Sequence, residues 1–152
     1  MRSHSFIATL LGATLLVASL TATSLLAASL AAAADAAPAA LGRWITETGN
    51  YEVEIAPCDE KLCGTIVQVL GNRSMSDPQV EMVAADPRPA LGTRILTDLA
   101  PAGDGRWSGY VYNRENAKTY SCVVTLADGG MLAVRGYVVL PLFGRTSTWH
   151  RP

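Results

Sequence analysis

From residue 42 to residue 151 the chain is a series of short apolar and polar alternations, broken repeatedly by glycine, proline, asparagine and aspartate. Tyr51-Glu52-Val53-Glu54-Ile55 is the cleanest of them: Tyr51, Val53 and Ile55 should face one way and both glutamates the other, into solvent. Further strands are predicted at 43–46, 65–70, 92–99, 106–113, 118–126, 131–138 and 145–151. The connections carry hairpin chemistry, as in Pro101-Ala102-Gly103-Asp104-Gly105, Arg114-Glu115-Asn116-Ala117 and Ala127-Asp128-Gly129-Gly130. Eight strands with all but one connection short predict an all-β fold, an eight-stranded antiparallel up-and-down barrel. Gly42-Arg43-Trp44 opens it and Thr148-Trp149-His150-Arg151 closes it. The last strand should therefore return to the first, with Trp44 plugging one end and Arg151 stacked on its ring as a structural seam.

The long connection, residues 71–90, has no periodicity, and Pro78, Pro87 and Pro89 exclude a long regular element from it. It is either a surface excursion or a segment that shapes a binding mouth. Asn72-Arg73-Ser74 matches a glycosylation sequon, a pattern too short to carry weight.

Ahead of the barrel lies a different composition. After Met1-Arg2-Ser3-His4-Ser5, residues 6–34 contain no charged side chain, and A-x-A patterns follow at Ala32-Ala33-Ala34 and Ala34-Asp35-Ala36. This predicts a signal peptide over 1–34, cleaved near Ala34 or Ala36, and an exported protein. The rival is an uncleaved anchor, since 29 uncharged residues exceed the roughly 20 that span a bilayer; membrane contact is expected only through this segment. Residues 35–41 predict a flexible tether, and 42–152 one barrel domain with a single core.

The formal net charge of −1 and the scattered arginines leave no basis for nucleic-acid binding. Export makes Cys58 and Cys63, separated by four residues, the expected disulfide, stapling the end of a hairpin. Cys122 shares a face with Tyr120, Val124 and Leu126 and should be buried.

The search for catalytic chemistry is nearly empty. His150 is the one histidine after the leader, and alternation sets it opposite Trp149 and Arg151, away from the interior. No nucleophile elbow, phosphate loop or metal motif occurs, so no catalytic residue, metal ligand or cofactor is assigned. The more suggestive set is aromatic and cationic. Arg145, Ser147 and Trp149 share one face of the last strand, and Arg135 and Tyr137 share one face of the strand before it. An arginine directed into a barrel needs a carboxylate, an aromatic face or an anionic ligand. Tyr112, Tyr120, Arg135, Tyr137, Arg145 and Trp149 are accordingly the candidate ligand-binding residues.

Several of these residues carry a resemblance. Gly42-x-Trp44, Leu62-Cys63-Gly64-Thr65-Ile66-Val67, Leu91-Gly92-Thr93-Arg94-Ile95-Leu96, Trp107-Ser108-Gly109-x-Val111-Tyr112 and Lys118-Thr119-Tyr120 resemble the exported bacterial family called domain of unknown function 2147. So, most specifically, do Arg135-Gly136-Tyr137 and Phe143-Gly144-Arg145-Thr146-x-Thr148-Trp149-x-Arg151. The resemblance implies a lipocalin-like barrel in the bacterial envelope and no established activity. Two departures stand out: Ala117 where a glycine is usual, and Asp86-Pro87-Arg88-Pro89 where Asp-x-x-Asn-Pro is expected.

The reading that follows is a non-catalytic periplasmic barrel binding a small amphipathic or apolar molecule. The alternative is an envelope interaction module with a filled barrel, meeting an unknown protein partner through its surface or through loop 71–90, near Met75, Val80, Met82 and Val83. Cavity volume separates the two.

Overall fold

The computed structural model describes residues 39–152. The predicted signal peptide, its cleavage sites and the first part of the tether lie outside the described residues. The strands are β1 (Gly42–Ile45), β2 (Tyr51–Cys58), β3 (Lys61–Val69), β4 (Arg94–Pro101), β5 (Arg106–Asn113), β6 (Lys118–Ala127), β7 (Met131–Tyr137) and β8 (Arg145–Trp149). They pair in chain order, every neighbour antiparallel, in one eight-stranded sheet. β4 starts at Arg94, two residues later than its alternation suggested, because Gly92 and Thr93 still belong to the turn: the Thr93 N–H donates to Ala90 O at 3.0 Å.

The sheet closes through one bridge. Ile45 and His150 exchange both backbone hydrogen bonds, at 2.7 and 3.1 Å, which makes the barrel nearly rather than fully closed. Arg151 reinforces the seam. Its guanidinium lies 3.7 Å from the centroid of the Trp44 ring and donates to the carbonyls of Ala39, Leu41 and Arg43. Gly42 is required at this point, because it sits at φ +97° and a Cβ there would stand 3.0 Å from Arg151 Nη1. Trp44 itself is buried, its Nε1 donating to Ala40 O at 2.9 Å. Ala39, Ala40 and Leu41, grouped with the tether on sequence, are thus held against the barrel base.

The core fills the base and middle. Trp44, Val53, Ile55, Ile66, Leu96, Leu99, Trp107, Cys122, Val124 and Leu132 are all buried there. On β4 the adjacent residues Ile95 and Leu96 are both buried, which strict alternation forbids. Against β3 the register slips here, Leu96 lying opposite Gly64 and Arg94 opposite Thr65, so Ile95 is an extra, bulged residue; a second bulge follows between Thr97 and Ala100, where Asp98 turns through φ 57°. The bulge pushes the Thr97 carbonyl toward β5, to 2.6 Å from where a Cβ of residue 109 would be, so only Gly109 fits. The expectation for β2 is corrected at one of its two glutamates. Glu54 is exposed, but Glu52 is buried and paired with Arg43 at 3.0 Å.

Cys58 and Cys63 form a disulfide across the turn between β2 and β3, with Cα atoms 5.8 Å apart. Cys122 is free and buried, and burial pushes its thiol up to about 12, so it stays protonated and inert.

Candidate functional site

The up-and-down order sorts the connections by end. The β1–β2, β3–β4, β5–β6 and β7–β8 loops gather at one end, the mouth; the shorter turns and the Trp44–Arg151 seam occupy the base. At the mouth the core stops short, and a cavity of about 610 Å³ opens, its wall more apolar than polar. Ile95, Val111 and Val134 line its depth together with Trp149, whose Nε1 donates to Ser147 Oγ at 3.0 Å. Gly136, on the inner face of β7, leaves room where a side chain would meet Val111.

The segment 71–90 lies across this mouth, tied down at three points. Asn50, buried, takes the Arg73 N–H on its Oδ1 and donates Nδ2 to the Arg73 carbonyl, both at 2.7 Å. Glu115 accepts from Ser74 Oγ and, at 2.9 Å, from the Met75 N–H. The third tie is Asp86, whose carboxylate accepts from the Arg88 backbone and guanidinium and, at 2.8 Å, from the Tyr112 hydroxyl. The Arg88 hydrogen bonds hold the Asp86 carboxyl well below the usual carboxylate range. Asp86 and Arg88 therefore build a compact clamp. Met75 and Met82 of this segment border the cavity, while Val80 and Val83 face solvent.

The candidate residues fall into two groups. Tyr120, Tyr137, Arg145 and Trp149 all border the cavity, and Arg145 reaches across it to donate to Met75 O at 2.8 Å. Tyr112 borders the cavity but also an outer groove, its hydroxyl engaged by Asp86. Arg135 does not join them. The inward residues of β7 are Leu132, Val134 and Gly136, so Arg135 points outward and donates to Pro141 O, Leu142 O and Thr146 Oγ1. That corrects the expected inward face of this strand. The register is decided by which side packs on Trp149, and alternation alone leaves that choice open.

Arg114 was missed. It belongs to a turn, yet it is buried, borders the cavity, and donates Nη2 to the carbonyls of Asp86 and Arg88, while its Nε has no partner among the described residues. No local signal marks it, because its burial comes from a segment some thirty residues upstream in sequence, folded over it. Among the described residues no carboxylate lies within 4 Å of Arg114 or Arg145. Nor do three His, Cys, Asp or Glu side chains come together as a metal site among them.

The whole barrel, residues 42–151, matches the family described as "Uncharacterized protein conserved in bacteria (DUF2147)". The chain belongs to this family. Among solved structures, HP1028 from Helicobacter pylori, described as belonging to the lipocalin family, aligns at 21% identity with a TM-score of 0.48, over 67% of this chain and 72% of its own. No curated protein matches the chain. The DUF2147 barrel seen here thus combines a packed base, a cavity at the opposite end and a tethered segment across the opening.

Proposed function

We propose that the barrel is a non-catalytic binding protein that holds one small amphipathic molecule at its mouth, in the bacterial periplasm after export. The observation that carries this is the cavity of about 610 Å³, apolar in depth and bordered at its rim by arginines without carboxylate partners. An apolar portion would lie over Trp149, Val134 and Ile95, and an acidic group would meet Arg145. The alternative, an interaction module, called for a filled interior, and a cavity of this size weighs against it. Export is supported by the leader composition and by the disulfide, which suits an oxidising compartment. No helix among the described residues is long and apolar enough to cross a membrane.

The test is saturation binding of a fluorescent amphipathic anion, anilinonaphthalene sulfonate, paired with native mass spectrometry of the protein as purified. One probe should bind per chain. Val111→Phe, which fills the cavity, and Arg145→Gln should each weaken binding by about tenfold, the loss of one good contact. Unchanged affinity in both variants would sink the proposal.

A further inference from the structure

The β7–β8 connection is apolar throughout and exposed. Val138, Val139, Leu140, Leu142 and Phe143 are 77%, 78%, 53%, 77% and 79% accessible, and Pro141 is the remaining residue. Six consecutive apolar residues held out to solvent are a surface for something. Three features of the loop decide what.

First, the carbonyls at its tip, Leu140, Pro141 and Leu142, are already occupied. Phe143 N–H donates to Leu140 O and Gly144 N–H to Pro141 O, each at 3.1 Å, in a single turn of 3-10 helix over Pro141–Phe143. Arg135 reaches up from β7 and donates Nε to Pro141 O at 2.6 Å and Nη2 to Leu142 O at 3.1 Å. A turn whose carbonyls are occupied in this way can enter a medium that offers no hydrogen-bond donors. Second, the flanks are cationic. From Gly129 to Pro152 there is no aspartate or glutamate, and Arg135 and Arg145 bracket the turn with no carboxylate within 4 Å among the described residues. Third, the loop is at the mouth: Val138 and Phe143 border the cavity as well as solvent, so the apolar surface runs unbroken from the outside to the interior.

We infer that this loop is a bilayer-docking element: Val138, Val139, Leu140, Leu142 and Phe143 enter the acyl boundary of an anionic membrane while Arg135 and Arg145 meet its head groups. The sequence pointed to membrane contact only through the leader, so this is a second and separate contact. It also orients the barrel, mouth down, where an amphipathic molecule could pass between lipid and cavity without crossing water. Docking itself does not depend on whether the cavity is occupied.

A reporter in the loop separates this contact from any made by the N-terminal segment. Leu142→Cys is labelled with an environment-sensitive fluorophore; the buried Cys122 remains unlabelled. Adding vesicles of phosphatidylethanolamine and phosphatidylglycerol should shift its emission to the blue. The same labelled chain carrying Phe143→Asp should need about tenfold more lipid for that shift, and so should one carrying Arg145→Gln. No shift with these vesicles overturns the proposal, even if the chain sediments with them. Equal response to phosphatidylcholine vesicles overturns the role of the two arginines. A shift that appears without lipid as protein concentration rises, and is lost in Phe143→Asp, assigns the loop to a second copy of the chain instead.

Discussion

Ala117 turns through the left-handed region at φ 55°, a conformation that costs an L-residue about 1–2 kcal/mol and glycine nothing of that kind. The β5–β6 turn needs a positive φ just before Lys118, which glycine would meet without strain. Ala117→Gly should therefore raise stability, by up to about 1 kcal/mol once the greater freedom of glycine in the unfolded chain is subtracted. Urea unfolding would measure it; a loss of stability would mean that the Cβ makes a contact worth more than the strain. Arg114, three positions earlier, teaches the opposite lesson. Its residue type and local sequence say surface turn, and only the overlying 86–88 backbone makes it a buried cation.

At the scale of elements, the segment 71–90 behaves as a strap across the mouth rather than a free excursion, and Asp86 is its acid-sensitive tie. The folded carboxyl sits below its unfolded value of about 4, so ionised Asp86 stabilises the strap fully above that pH. The contribution declines as pH falls below about 4 and is gone once pH drops through the folded value. Asp86→Asn should lower the thermal midpoint at neutral pH, and the gap between variant and parent should narrow as the buffer is taken below about pH 4. A gap independent of pH would mean that Asp86 acts by packing alone. The strap is illegible in sequence because its partners, Asn50, Tyr112, Arg114 and Glu115, come from two other loops and from β5.

At the scale of the whole molecule, the barrel is a nearly closed ring held by one short seam. Ile45 and His150 form its only backbone bridge among the described residues, and the Trp44–Arg151 stack fastens the two ends beneath it. Trp44→Ala removes a fully buried ring and should cost about 3–5 kcal/mol, a large part of the roughly 5–15 kcal/mol a domain has. Arg151→Ala should cost less, about 1–2 kcal/mol, because the ring stays buried when the cation over it is lost. Chemical denaturation of both variants measures the order; an equal or reversed cost would show that the hydrogen bonds of Arg151 to Ala39, Leu41 and Arg43 outweigh the ring.

What the sequence determined by itself is whatever depends on near neighbours. Period-two alternation and turn residues specify the strands and their antiparallel order, two cysteines five positions apart specify the staple, and the terminal Trp44 and Arg151 anticipate the seam. What only the tertiary structure decided depends on which strand face turns inward and on what covers it. Alternation is symmetric between faces, so Arg135 could be assigned to the cavity until packing on Trp149 set the register of β7 against β8. The bulges at Ile95 and Asp98 shift that alternation in ways no local pattern announces. The cavity exists for a further reason of the same kind: small residues such as Gly136, a core that ends below the mouth, and a strap from distant sequence meet there only once the ring has closed.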